Sequence, residues 1–158
     1  MLMRKVMAWK VFVLCGCLVT LATGCAKPLS QPAVAPASGV VTYKGSPVPN
    51  AEVLFKPGDS TATAVATGRT DQNGMFQLST FGINDGCIPG DKVVVIAADE
   101  RGGKKIQPGE PEPGSPGYVA PKDLIPKKYF SEATSGLKAT VVAGKENRFE
   151  FALTDEKK

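Results

Sequence analysis

Residues 39–58 read GVVTYKGSPVPNAEVLFKPG, and this stretch decides the fold. Gly39-Val40-Val41-Thr42-Tyr43 is β-branched and aromatic, and it stops at Lys44-Gly45-Ser46-Pro47, a cluster of turn formers. In 51–56 the pattern alternates, with Ala51, Val53 and Phe55 on one face, before Pro57-Gly58 breaks it. Working outward, 63–70 is a third strand of small residues, and 71–74 (DQNG) is a tight turn whose Asn-Gly pair supplies the positive φ angles of a hairpin. Residues 75–80 return with Phe76 and Leu78 inward. The run KVVVIAA at 92–98 is the continuous apolar pattern of a central strand covered on both sides, with Val93 and Val95 expected to face the core. Strands at 137–142 and 148–154 follow, joined by 143–147, with Phe149, Phe151 and Leu153 inward. No segment after the first 24 residues has helical periodicity. The expectation is an all-β, seven-stranded antiparallel β-sandwich over residues 38–154.

These residues also carry a family resemblance. Gly39-x-Val41-x-Tyr43-x-Gly45-x-Pro47-Val48-x-Asn50-Ala51-x-Val53-x-Phe55, then Thr70-Asp71-x-Asn73-Gly74-x-Phe76-x-Leu78 and Ile88-Pro89-Gly90-x-x-x-Val94, resemble the carboxypeptidase regulatory-like domain. The resemblance implies a transthyretin-like (prealbumin-like) sandwich, largely non-catalytic and without a cofactor. Ile125-Pro126-x-x-Tyr129, Ser135-Gly136-Leu137 and Phe149-x-Phe151-x-Leu153 further resemble small envelope lipoproteins built on this domain. A shared scaffold of this kind implies little about activity.

The N-terminus points to the envelope on separate grounds. Residues 1–10 are basic and 11–23 are uncharged and apolar, the layout of a secretory signal. That run is shorter than the ~20 residues of a stable span. Directly after it, Leu21-Ala22-Thr23-Gly24-Cys25 resembles the lipobox of bacterial lipoproteins, in which the cysteine is diacylglycerylated and the chain is cut before it. Leucine is usual three residues before the cysteine, where Ala22 stands here. A rival box, Leu14-Cys15-Gly16-Cys17, places the leucine correctly but leaves a short apolar core, and an uncleaved signal anchor is the other alternative. Lipidation at Cys25 is the expectation, with residues 1–24 as signal and 25–37, which include Pro28, Pro32 and Pro36, as a semi-rigid tether. The protein would then be anchored to an outer or cytoplasmic membrane, facing away from the cytoplasm. Acyl chains would supply the membrane affinity.

Composition narrows the function. Three of the 19 bases (Arg4, Lys5 and Lys10) leave with the signal, so 16 remain against 15 acids, and a nucleic-acid partner is not expected. The chain has no histidine, hence neither the commonest general base nor the commonest metal ligand. Asp71-x-Asn73-Gly74 lacks the later ligands of a calcium loop, so a hairpin turn is the reading. Ser135-x-x-Lys138 fits a penicillin-binding pattern, but that pattern needs a helix, and here it runs into a strand. Cys87 is the one cysteine left once Cys15 and Cys17 are removed and Cys25 is acylated; without an activating neighbour it reads as a small, partly buried apolar side chain, the alternatives being an intermolecular disulfide or a metal contact. Lys44, Lys56 and Lys92, as donors for a lysine–asparagine cross-link, all fall at strand ends or turns. The histidines and C-terminal tetrapeptide of transthyretin-like purine hydrolases are missing, and no enzyme is expected.

Residues 99–134 depart from the strand pattern and hold 6 of the 13 prolines. A loop of this length is a packed decoration or a partner-binding segment. Tyr118, Tyr129 and Phe130 are its candidate partner-binding residues. The functional expectation is a non-catalytic binding or structural module at the membrane surface, with an unknown envelope protein as partner. The alternative is a carbohydrate- or peptidoglycan-contacting domain using Tyr43, Tyr118 or Tyr129, because the mature chain lacks the tryptophan platform of many sugar sites. Residues 155–158 form a charged tail.

Overall fold

The computed structural model describes residues 31–58, 64–104 and 106–155. The lipobox residues Leu21, Ala22, Thr23, Gly24 and Cys25 lie outside them. The chain divides into Met1–Gln31 and Pro32–Lys158, and every element below belongs to the second unit.

Eight strand segments form two four-stranded sheets. They are β1 (Ala37–Tyr43), β2 (Ser46–Pro47), β3 (Glu52–Pro57), β4 (Ala66–Arg69), β5 (Met75–Gln77), β6 (Gly90–Ala97), β7 (Leu137–Val141) and β8 (Asn147–Leu153). In the first sheet β1 is central: β5 and β2 pair successive parts of one side, and β8 runs along the other. The second sheet is ordered β4-β3-β6-β7, all antiparallel. All-β architecture in two sheets agrees with the sequence reading, but the wholly antiparallel arrangement does not. β8 pairs β1 in parallel from Ala37↔Asn147 to Tyr43↔Leu153. The two-residue β2 is also additional; Lys44 (φ 51) and Gly45 (φ 81) turn the chain back so that Tyr43 faces Ser46.

Alternation in β1, β3 and β8 sets the core. Val41, Val53 and Phe55 are fully buried, with Phe151 and Leu153 buried opposite them. Phe55 is the hub: its ring centroid lies 5.2 Å from Phe149, 6.0 Å from Phe151 and 6.3 Å from Phe76. Gly39 makes this cluster possible, since a Cβ there would sit 2.4 Å from the Phe149 carbonyl oxygen and 2.7 Å from the Phe76 ring. Thr70, also buried, clips the start of β3: its hydroxyl accepts from the Ala51 N–H and donates to the Val48 carbonyl, both at 2.7 Å.

Three expectations need correcting. In β6 Val94 and Ile96, joined by Ala98, belong to the core cluster; Val95, 4% exposed, is buried on the other face as a strand covered on both sides requires, and Val93 is half-buried. An unbroken apolar run does not reveal its own parity. Lys92 shares the Val94 face and is only 4% exposed, so it is not a peripheral strand-end residue. The chain also contains short helical turns, a 3-10 turn at Lys127–Phe130 and α1 at Glu132–Ser135. β7 pairs only the Gly90–Val94 part of β6, and these two turns pack against β6 as well.

The 99–124 segment leaves and returns at one point. Asp99 bridges Asp123, the Glu100 N–H donates to the Lys122 carbonyl, and the Leu124 N–H donates to the Ala98 carbonyl. Between those anchors it is a succession of turns, largely exposed, with an Arg101–Glu110 ion pair at 3.2 Å.

Candidate functional site

The outward face of the first sheet carries the side chains of opposite parity to the core. Register brings Ser38 beside Gln77 and Arg148, and Val40 beside Met75 and Glu150. The second sheet overhangs this face where the Thr67↔Ser79 bridge links β4 to the residues after β5. Gly68 permits the approach, because a Cβ there would lie 2.7 Å from the Gln77 carbonyl oxygen. Between face and overhang runs an open groove of about 950 Å³.

Its rim carries both signs of charge. Arg148 is exposed and held by Glu146, whose carboxylate accepts from Nε at 3.1 Å and from a terminal nitrogen at 2.9 Å. Arg69 donates to the carbonyls of Asn50 and Gly102, which fixes the guanidinium at the other rim and ties the 99–124 segment to β4. Glu52, Asp71 and Glu150 complete the charged lining. Met75, 56% exposed, is the large apolar side chain on the face. Nothing in the lining supplies a nucleophile paired with a base.

The individually named residues separate. Tyr129 is buried; its hydroxyl donates to the Thr154 carbonyl and accepts from the Thr154 N–H, both at 3.1 Å, which fastens the 3-10 turn to the end of β8. Burial raises the phenol pKa, but these bonds and the Lys128 ammonium outweigh it, and the net shift is downward. Phe130 is half-buried against the core, and Tyr118 is partly exposed within the turns. Ile125 is buried, whereas the adjacent Leu124 is 37% exposed. Tyr43 lies at the β1–β2 turn, where its hydroxyl donates to Asp155, and Lys44 pairs with the same carboxylate at 2.7 Å. None of the three tyrosines lines the groove.

The motif readings can be placed as well. The Asp71 carboxylate accepts from the N–H groups of Asn73 (2.8 Å) and Met75 (2.9 Å), so it builds the turn. Of the Asn-Gly pair only Gly74 has positive φ, contrary to the expected hairpin type. Ser135 is buried at the end of α1 while Lys138 is exposed on β7. Cys87 is a free thiol, 2% exposed; burial raises its pKa and the nearby Lys92 ammonium only partly opposes this. Lys56 pairs with Glu132 at 3.3 Å. Among the described residues no group of three or more His, Cys, Asp or Glu could hold a metal ion, and no helix is long and apolar enough to cross a membrane.

Asn147, not singled out by sequence, is a further organiser. Its amide donates to the carbonyls of Pro36, Val142 and Lys145 and accepts from the Val142 N–H, tying the β7–β8 turn to the start of β1. Its only sequence signal is a polar residue in an inward register. No family model, curated protein or solved structure matches the chain.

Proposed function

We propose that this chain is an envelope lipoprotein, anchored through Cys25, whose transthyretin-like sandwich is a non-catalytic module that binds an extended polypeptide segment of an envelope protein. The groove carries this reading. It offers an open channel rather than an enclosed pocket, with Arg69, Arg148 and four carboxylates in its lining and Met75 exposed on its face. Arg and Met are enriched at protein interfaces, and a rim of both signs gives register to a partner of complementary charge. The tyrosines that a sugar site would need stand elsewhere, which favours a polypeptide over a glycan. The resemblance to the carboxypeptidase regulatory-like domain fits the same role, since it implies a scaffold.

The test is photo-cross-linking in cells from the full chain, with a photoreactive residue at Gln77 in the groove or at Lys138, exposed on β7. A discrete protein adduct from position 77, weakened by Arg148→Glu and missing from position 138, is expected. Equal adducts from both positions, or retention of the domain on a glycan array, would overturn it.

A further inference from the structure

One end of the sandwich gathers what the chain needs to sit on a bilayer. Ala35 and Cys87 exchange N–H···O bonds of 2.9 and 3.0 Å, Ala37 faces Asn147, and Gly90 faces Val141. The start of β1, the 80–86 loop and the β7–β8 turn therefore share this end. Of the six exposed large apolar side chains among the described residues, three project here: Ile83 at 93% exposure, Val142 at 46% and Phe81 at 41%.

The 80–86 loop is built to hold its apolar tip outward. The Asp85 carboxylate accepts from the N–H groups of Thr80 (2.7 Å), Phe81 (3.0 Å) and Gly82 (2.8 Å). The Asn84 N–H donates to Ser79 Oγ, and Thr80 Oγ1 donates to the Gly86 carbonyl. The one formal charge of the loop is thus spent on its own backbone. Gly86 (φ 104) lets the incoming chain lie against it, since a Cβ there would stand 2.0 Å from the Ala35 carbonyl oxygen. An ordered tip bearing Phe and Ile, its one carboxylate hydrogen-bonded to its own backbone, loses little conformational entropy on burial, unlike a mobile loop.

We infer that Phe81, Ile83 and Val142 form a membrane-contacting tip that inserts into the interface of the bilayer to which the N-terminus is anchored. The inference rests on the Cys25 reading. Cys25 precedes Ala35 by ten residues, and a chain of that length spans at most about 35 Å. The tether therefore joins the domain at this end, which puts the tip within that reach of the lipid. The β7–β8 turn carries Lys145 beside Glu146, whose carboxylate is engaged by Arg148, which leaves the lysine ammonium for anionic headgroups. The opposite end bears the β1–β2 turn with its Lys44–Asp155 pair.

The only tryptophan of the chain is Trp9, so Trp9→Phe with Ile83→Trp gives a single reporter at a position 93% exposed, where the fold does not depend on it. The processed, lipid-bearing protein extracted from cell membranes is reconstituted into vesicles of phosphatidylethanolamine and phosphatidylglycerol with brominated acyl chains. Ser46→Trp, exposed at the opposite end, is the comparison. The tip should show a blue-shifted emission and at least about twofold stronger quenching than position 46, as expected for side chains seated at the headgroup–acyl boundary. Flotation with the vesicles but equal quenching overturns the tip while leaving the anchor standing. Failure to float overturns the anchor and the tip with it. A blue shift that persists in detergent and grows with protein concentration assigns these residues to a second copy of the chain, and overturns the membrane contact.

Discussion

Replacing Phe55 by alanine removes the hub of the core, and its cost can be set against a neighbour in the same cluster. Phe55 is fully buried and lies within 5.2 to 6.3 Å, ring centre to ring centre, of Phe76, Phe149 and Phe151. Truncating a buried Phe costs about 3–5 kcal/mol from lost transfer energy and the cavity left behind. Three aromatic neighbours, and backbone on either side in β4 and β6, leave little freedom for collapse, which places the cost toward the upper end. Phe149 is only half-buried, so Phe149→Ala should cost about 2 kcal/mol by its smaller loss of buried area. For a domain of this size roughly 3–5 °C of Tm is lost per kcal/mol, so the two variants should separate by about 6–15 °C. Urea unfolding with a common slope, alongside calorimetry, measures both. A Phe149→Ala variant as destabilised as Phe55→Ala would show that the cluster is not centred as described.

Tyr129→Phe keeps the ring and leaves the Thr154 N–H and carbonyl without their partner, so it should cost about 1–2 kcal/mol in urea unfolding, whereas Tyr118→Phe should be neutral. Asp85 has its pKa lowered below 3.8, chiefly by the Thr80 N–H with help from those of Phe81 and Gly82. Its contribution is therefore complete above that value and lost as pH falls below it. Measured against the intrinsic exchange rate at each pH, the protection of the residue 80–82 amides should fall in that acid window and not between neutrality and pH ~5, whereas Asp85→Asn should lower it at neutral pH too. Cys87, buried and with its pKa raised, should resist thiol reagents in the native protein and react once on unfolding; prompt labelling without denaturant would contradict its placement.

The sheets were legible where side chains alternate. Ala51 just before β3, Val53 and Phe55 within it, and Phe151 and Leu153 in β8 alternate with polar or less buried neighbours, so period two announces both strand and face. In β6 every position from Val93 to Ala97 is apolar, and the pattern holds no record of which half faces the core. Lys92 reads as a surface residue by type, yet the pleat carries it inward with Val94. Parallel pairing of β8 with β1 joins residues 110 positions apart and leaves no mark on either strand. The groove arises from the overhang of one sheet on the other, at Gly68 over Gln77, and so follows from packing rather than from a motif. Tyr129 illustrates a last difficulty: an aromatic residue in a proline-rich segment looks the same whether it meets a partner or its own domain.

The central claim is that the chain is held at a membrane by lipid on Cys25, and the mass of the protein extracted from cells tests it most directly. The account predicts a chain beginning at residue 25 that carries the added mass of a diacylglyceryl group, and a Cys25→Ser variant that accumulates as unprocessed precursor without acyl mass. A mature chain that begins elsewhere and carries no lipid would contradict it.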